Sequence, residues 1–112
     1  MANVYKNIQA VISSAASDVD MYTAPDETTS IVKSIKLYNT HSSNLVVDIK
    51  VYDLSSTTAL EYDTVTVNTD NSVVLLTFNN VLVLEAGDIL RMQTPTTNVV
   101  KMTASVLQTS RA

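Results

Sequence analysis

The chain has 112 residues, of which 46% are hydrophobic and 16% are charged. This length fits one domain with one core, and the composition excludes an intrinsically disordered chain. The formal net charge is −4, and the few lysines and arginines are scattered along the sequence. Because nucleic-acid binding requires a concentrated basic surface, we expect no nucleic-acid partner. Residues 1–112 are therefore expected to form a single domain.

The sequence contains no cysteine, which excludes disulfides, thiolate metal sites and cysteine nucleophiles within these residues. The first apolar stretch, residues 8–12, is interrupted by Gln9 and preceded by one lysine, which is unlike a signal peptide. No window approaches about 18 uninterrupted apolar residues, so the sequence predicts no membrane-spanning helix and no membrane partner.

Valine, isoleucine and threonine account for 37 residues, and their branched Cβ atoms favour strands. Residues 4–12 also show apolar residues at helical spacing, but the β-rich remainder favours a strand here. Residues 19–23 form a short strand that ends before Pro25, whose ring holds the preceding residue extended. Residues 26–29 are expected to form a polar turn.

The middle of the chain predicts two strands, each with one buried and one solvent-exposed face. Residues 31–39 place Ile35 and Leu37 on one face and charged or tyrosine side chains on the other. Residues 45–54 alternate aliphatic and polar side chains throughout, as a half-buried strand does. Residues 40–44, between these two strands, have loop composition.

The next segment is less regular. Residues 60–67 continue the alternation, and Leu60 and Tyr62 are expected to point into the core around an irregularity near Thr64. Residues 68–71 form a turn, because Asn and Asp tolerate left-handed backbone and bond their own main chain.

The last third of the chain predicts four short strands. Residues 73–78 are a nearly continuous apolar run, which is typical of a strand covered on both faces. Residues 81–84 resume the pattern, residues 89–94 end at Pro95, and residues 100–106 alternate cleanly. About eight or nine strands at this spacing predict an antiparallel β-sandwich of about eight strands, jelly-roll-like or immunoglobulin-like.

The turn at residues 85–88 contains Gly87, the only glycine of the chain. We expect a positive φ at Gly87, with Asn and Asp residues supplying the other positive-φ positions of the fold. Pro25, Gly87 and Asp88 are therefore the predicted structural turn residues.

The sequence predicts no catalytic, cofactor-binding or metal-binding residues. His41, the only histidine, lies in a Ser/Asn loop with no nucleophile motif around it. Three carboxylate pairs are expected to be solvent-facing charges, because no loop offers the dense oxygen ligands that calcium requires. They are Asp18 and Asp20, Glu61 and Asp63, and Glu85 and Asp88. We expect the protein not to be an enzyme.

The order of these features resembles a group of small virion proteins of tailed bacteriophages. The resemblance covers about residues 5–108 and rests on a tyrosine and proline before a threonine-rich turn, a strand ending in asparagine, and a later Leu-Glu-Ala-Gly-Asp turn. This chain has Asp26 and Glu27 where related proteins often carry more glycine. The matching residues are Tyr22, Pro25, Thr28, Thr29, Ile31, Val32, Asn39, Leu84, Glu85, Ala86, Gly87 and Asp88.

The resemblance implies a β-sandwich module on the virion, made in the host cytoplasm, and carries no active site. The first hypothesis is a capsid decoration or cement protein that binds the major capsid protein or other virion proteins on the outer surface and stabilises the shell. A homo-oligomer would suit this role, and a trimer at local three-fold positions is one such geometry. The alternative is a neck, tail or fibre-associated module, with a host-surface glycan as a ligand to be considered. A small hydrolase is the third hypothesis, and the sequence shows no set of nucleophile, base and orienting residues that would support it.

Overall fold

The computed structural model describes residues 3–76 and 81–110 of the chain. These residues contain nine strands and no helix, which confirms the predicted all-β fold. No helix in the described part of the chain is therefore long and apolar enough to cross a membrane. The strands are β1 (Asn3–Val11), β2 (Val19–Thr23), β3 (Thr28–Asn39), β4 (Leu45–Asp53), β5 (Thr58–Val67), β6 (Ser72–Leu76), β7 (Leu82–Leu84), β8 (Ile89–Gln93) and β9 (Val100–Ser110).

The strands form two antiparallel sheets. Sheet A has the order β1-β9-β3-β6, with β7 also beside β3, and sheet B has the order β2-β8-β4-β5. Strands β6 and β7 pair with successive stretches of β3, so they act as one interrupted strand. If β6 and β7 are counted as one strand, the chain has eight strands that pair from the outside inward. Strand β1 pairs with β9, β2 with β8, β3 with the combined β6 and β7, and β4 with β5. This nested pairing is the topology of a jelly roll and not of an immunoglobulin domain.

The core lies between the two sheets and is aliphatic. Alternate residues of β9 face inward and are at most 2% exposed: Val100, Met102, Ala104 and Val106. Sheet B contributes equally buried side chains to the same cluster, among them Val47, Ile49 and Met92. Each fully buried aliphatic side chain contributes about 1.5–3 kcal/mol relative to leaving it exposed. The period-2 pattern of the sequence is thus the cause of the two-layer packing.

One buried tyrosine links the two sheets. The Tyr22 hydroxyl, on β2 of sheet B, lies 2.8 Å from Ser30 Oγ on β3 of sheet A. It also accepts a hydrogen bond of 2.7 Å from Gln108 Nε2 on β9. Because the hydroxyl of a buried tyrosine needs a partner, this network fixes how β2 lies against sheet A.

Two expectations about turns need correction. Strand β3 begins at Thr28, so the turn predicted over residues 26–29 is shorter than expected. Positive φ angles occur not only at Asp70 and Asn98 but also at Ala16, Glu27 and Thr57, so the expectation that Asn and Asp alone would supply them is wrong. The tight connections of the jelly roll impose left-handed backbone on these three residues despite the small steric cost of a Cβ atom there.

The predicted burial of Leu60 and Tyr62 is wrong: they are 68% and 38% exposed. Strand β5 pairs Asp63 with Ile49 but Glu61 with Lys50, so Tyr62 is the extra residue of a β-bulge. Leu60 is opposite Val51, which packs against the core, and it lines a groove together with Leu82 and Val83 of β7. Because β5 is the edge strand of sheet B, Leu60 lies at the margin of the sandwich, where it is exposed.

The prediction that residues 73–78 are covered on both faces is also wrong where it can be checked. Val74 is 58% exposed, so β6 has one wet face. Residues 77 and 78 of that predicted strand lie outside the described residues.

Candidate functional site

The predicted turn residues lie where two turns of the sandwich meet. Gly87 has a φ of 86°, and its N–H donates a 2.9 Å hydrogen bond to the carbonyl of Ala24, next to the exposed Pro25. In return, the Ala24 N–H donates to the carbonyl of Asp88, also at 2.9 Å. This reciprocal pair joins the turn after β2 to the turn before β8, and it requires the backbone geometry that glycine adopts most readily.

The Asp88 side chain closes the same turn from within. Its Oδ2 accepts a 3.0 Å hydrogen bond from the Glu85 N–H, and its Oδ1 accepts one of 3.1 Å from the Leu54 N–H at the end of β4. Asp88 is only 8% exposed, so the expectation that the Glu85 and Asp88 pair would face solvent is wrong for Asp88, whose carboxylate accepts these two N–H groups inside the turn. The carboxylate therefore holds the β4–β5 hairpin against the β7–β8 turn, which is a structural role.

The residues considered for chemistry are not brought together. His41 Nδ1 lies 2.8 Å from Ser43 Oγ, and its main-chain N–H donates to Asn39 Oδ1 at 2.8 Å. In the described part of the chain, no group of three or more His, Cys, Asp or Glu residues could hold a metal ion.

Asp20 of β2 and Asp18, the residue just before β2, form ion pairs on the outer face of sheet B. Asp18 Oδ1 lies 3.1 Å from Lys50 Nζ, and Asp20 Oδ1 lies 2.8 Å from Arg91 Nε. The Arg91 guanidinium also lies over the Tyr52 ring, 4.6 Å from its centroid. Exposed pairs of this kind contribute little to stability, but they keep this face ionic and hydrated.

The outer face of sheet A carries an apolar row that crosses four strands. Tyr5 of β1 is opposite Leu107 of β9, Leu107 is opposite Ile31 of β3, and Ile31 is opposite Val83 of β7. Residues opposite each other on neighbouring strands present their side chains on the same face. We call these four residues the apolar stripe.

The stripe faces outward and is uncovered. Tyr5 is 74% exposed and Val83 54% exposed, whereas Ile31 and Leu107 are partly buried by their neighbours. The sequence neighbours of Ile31 and Val83 on the inner face, such as Val32 and Leu84, are fully buried. The rows on either side of the stripe are neutral and polar: Asn3, Thr109 and Thr29 on one side, and Asn7, Ser105 and Ser34 on the other. A contiguous apolar row of this kind is typical of a surface that binds another macromolecule.

Charge is divided between the two sheets. The described strands of sheet A carry four lysines and no carboxylate: Lys6, Lys33, Lys36 and Lys101. The strands of sheet B carry five carboxylates, against the two cations Lys50 and Arg91: Asp20, Asp48, Asp53, Glu61 and Asp63. The chain is acidic overall, yet the outer face of sheet A is basic, because Lys33, Lys36 and Lys101 lie on it, whereas Lys6 is opposite the buried Val106. Such polarity favours contacts between unlike faces and disfavours contacts between like faces.

A groove opens where the edges of the two sheets meet, between β5 and β7. Its volume is about 410 Å³. The apolar lining consists of Val51, Leu60, Tyr62, Leu82 and Val83, and carboxylates of Asp53 and Glu61 lie at its rim. We call this the edge groove, and Val83 joins it to the apolar stripe.

The rim of the edge groove is anionic. Ser55 donates hydrogen bonds to Asp53 Oδ1 from its hydroxyl, at 2.7 Å, and from its main-chain N–H, at 3.0 Å. These bonds stabilise the charged form and lower the pKa of Asp53 below its ordinary value. Asp53 therefore stays ionised at any pH near neutrality.

The sequence analysis missed both surfaces, although the sequence contains a signal for the stripe. In each of the four strands that form the stripe, the alternation of apolar inward and polar outward residues is interrupted. At the stripe the outward residue is apolar and follows or precedes an apolar inward residue: Val4-Tyr5, Ile31-Val32, Leu82-Val83-Leu84 and Val106-Leu107. An apolar residue at an outward position is unremarkable alone. Only the register of the sheet shows that the four residues form one row.

No protein-family model and no curated protein matches the chain. Among solved structures, a protein of Bacillus endospore appendages, described as a family of disulfide-linked pili, is similar over 98% of this chain and 89% of its own, with a TM-score of 0.59 and 12% identity. The virus-like particle protein of the extra small virus of the giant freshwater prawn Macrobrachium rosenbergii is similar over 96% of this chain and 79% of its own, with a TM-score of 0.52 and 13% identity. At these identities the likeness shows a common fold.

Proposed function

We propose that this protein is a structural subunit of a tailed-phage virion, a decoration protein that binds the outer surface of the capsid and stabilises the shell. The observation that carries the proposal is the apolar stripe, an outward row of four residues on sheet A that would serve as the docking surface. The two structural neighbours support a structural role, because one forms pili and the other a virus-like particle. The resemblance to small phage virion proteins supplies the virion setting.

Sheet A is the face proposed to contact the capsid. The stripe offers Ile31 and Leu107 for burial, flanked by hydroxyl and amide side chains that can pair with a partner's main chain. The lysines of sheet A favour an acidic region of the major capsid protein. The outer face of sheet B, with its ion pairs, would then remain in solvent.

The proposal includes that the protein is not an enzyme and needs no cofactor. The described part of the chain has one histidine, and its ring nitrogen Nδ1 bonds Ser43 within an exposed loop. No base, nucleophile and orienting group converge there, as a hydrolase would require. A protein that coats a particle needs a binding face that is repeated in many copies, and it needs no catalytic turnover.

The second candidate is a subunit of the neck, tail or a fibre. It is favoured by the similarity to an appendage protein, since an appendage is built by repeated head-to-tail contacts. The disulfide linkage described for that neighbour is not open to these 112 residues, which lack cysteine. A glycan ligand remains part of this candidate, with the exposed Tyr38 as a stacking surface.

The role of the stripe in capsid binding is tested by adding the purified protein to capsids that lack this protein. We expect the double variant Ile31→Thr/Leu107→Thr to bind at least about tenfold more weakly, because two aliphatic contacts worth about 1 kcal/mol each are lost. Threonine keeps the β-branched shape at position 31 and suits a strand at both positions. Cosedimentation over a range of protein concentrations gives the affinity.

The matched control is Val46→Thr. Val46 is 47% exposed on β4 of sheet B, so the same chemical change falls on the opposite sheet. We expect wild-type affinity for this variant. If the control lost as much affinity as the double variant, or the double variant lost none, the capsid-facing surface would not be the stripe.

A further inference from the structure

We propose that the edge groove binds residues 3–7 of β1 from a second copy of this chain, so that copies associate head to tail. The proposal rests on the proposed function in that both describe a structural subunit, but its partner is a second copy of this chain, and its two surfaces adjoin the apolar stripe at Tyr5 on one side and at Val83 on the other. The groove and the start of β1 lie at opposite edges of the sandwich: β1 is one edge strand of sheet A, whereas β7 and β5 are at the other side of the two sheets.

The start of β1 is a strand that the molecule itself does not cover. Its first five residues, 3–7, are all exposed, although each pairs with β9. Val4 is 44% exposed and is opposite Gln108, whose side chain reaches the inner network at Tyr22, so Val4 and Lys6 face the inner side of sheet A. An aliphatic side chain on the inner side of a sheet is most stable in an apolar environment, whereas nearly half of Val4 is in contact with solvent.

The edge groove has the complementary composition. Leu60 is 68% exposed, and the neighbouring Tyr62, which is 38% exposed, is the extra residue of the β5 bulge. Leu82 and Val83 line the opposite wall. An apolar strand segment such as Val4 would cover these side chains, and the groove is open at the sandwich edge to receive it.

Charge selects the head-to-tail arrangement over the symmetric ones. Lys6 sits within the start of β1, with Lys33 beside Tyr5 at 5.9 Å from its ring centroid, and no carboxylate lies on this strand. The groove rim carries Asp53 and Glu61. Two grooves would repel each other, and so would two β1 edges, whereas β1 against the groove brings opposite charges together. An interface between unlike surfaces repeats into a chain or closes into a ring.

The experiment measures self-association of the purified chain by sedimentation velocity over a concentration series, in the absence of any capsid. We expect the average mass of the wild type to rise with concentration, and more steeply at about 0.05 M than at about 0.5 M salt, because salt screens the rim charges. The single variants Lys6→Glu and Glu61→Lys should each lower the association constant at least about fivefold at low salt, since each turns an attraction into a repulsion.

An equimolar mixture of the two single variants is the decisive sample. Each variant keeps one unaltered surface. Lys6 of the Glu61→Lys chain can therefore bind the unaltered groove rim of the Lys6→Glu chain. The two altered surfaces, with Glu at position 6 and Lys at position 61, also carry opposite charges. The mixture should therefore regain most of the wild-type association. Lys101→Glu and Asp26→Lys are the charge controls, because both residues are exposed and neither lies at the groove or at the start of β1.

Circular dichroism and thermal unfolding of each variant show whether it is folded, and Lys6→Gln and Glu61→Gln provide milder replacements with a smaller expected loss. A wild type that stays monomeric up to about millimolar concentration, the upper range of weak specific contacts, overturns the proposal. The proposal is also overturned if the Lys6 and Glu61 variants associate as strongly as the charge controls, or if the equimolar mixture does not regain the association of the wild type. None of these results bears on capsid binding through the stripe, which is measured with capsids.

Discussion

Replacement of Asn39 by alanine is expected to destabilise the fold by about 2–4 kcal/mol, because three main-chain groups, one in a buried and two in partly buried hydrogen bonds, lose their partner at once. Asn39 is fully buried at the end of β3. Its Nδ2 donates to the carbonyls of Ser43 and Val67, at 3.0 and 2.9 Å, and its Oδ1 accepts the N–H of His41 at 2.8 Å. The side chain thus joins the loop after β3 to the end of β5.

Urea unfolding of the purified variant measures this loss. Asn44→Ala is the control in the same loop, because the Asn44 side chain is exposed and its Oδ1 accepts from the Thr69 N–H at 2.9 Å. We expect a loss of about 0.5 kcal/mol for Asn44→Ala, since water replaces an exposed hydrogen bond. Equal unfolding midpoints for the Asn39 variant and the wild type would show that the Asn39 amide is not a structural requirement.

The second large effect is expected at Asp88. Asp88→Ala should cost about 2–3 kcal/mol, because two N–H donors, those of Leu54 and Glu85, lose a charged and largely buried acceptor. Asp88→Asn keeps one acceptor oxygen but turns an NH₂ group toward the other donor, so we expect an intermediate loss. Chemical denaturation of the three proteins gives the ranking.

Asp53→Ala is the matched control for Asp88. Asp53 also accepts a main-chain N–H, that of Ser55, at 3.0 Å, but it lies at the rim of the edge groove and near solvent. Its removal should change stability much less than the removal of Asp88. If the two alanine variants unfolded at the same urea concentration, burial would not be what makes the Asp88 carboxylate important.

The sequence pattern predicted the sandwich because its core strands alternate strictly. Val100 to Val106 in β9 and Ile35 with Leu37 in β3 are buried at the positions that period-2 spacing requires. The choice between a jelly roll and an immunoglobulin fold stayed open, because strand pairing depends on long-range contacts that a local pattern does not contain. The nested pairing of the strands decided it in favour of the jelly roll.

The errors about burial share one physical cause: an apolar residue in a strand is buried only if something lies over it. Leu60 has the spacing of a core residue and Val74 belongs to a continuous apolar run, but they are 68% and 58% exposed. Leu60 lies on the edge strand β5 next to the bulge at Tyr62, and Val74 is opposite the outward Lys36, and neither position follows from local composition. For the same reason the apolar stripe could not be predicted, since the register of four strands defines it.

The matched residues of the resemblance, in contrast, have specific structural roles. Tyr22 bonds Ser30 and Gln108 across the sheets, Asn39 joins the loop after β3 to the end of β5, and Gly87 and Asp88 close one turn. These side chains hold main-chain groups and loops in place, and none of them belongs to the apolar stripe except Ile31. Their pattern therefore reports how the jelly roll is built rather than what it binds.

Cryo-electron microscopy of the intact particle, with the copies of this protein counted and placed, tests the central claim most directly. A decoration protein repeats with the symmetry of the shell, so the account predicts on the order of hundreds of copies spread over the capsid, with sheet A toward the shell. A single ring of about a dozen copies at the neck, or copies confined to the tail tip, would contradict capsid decoration, since those positions have only cyclic symmetry.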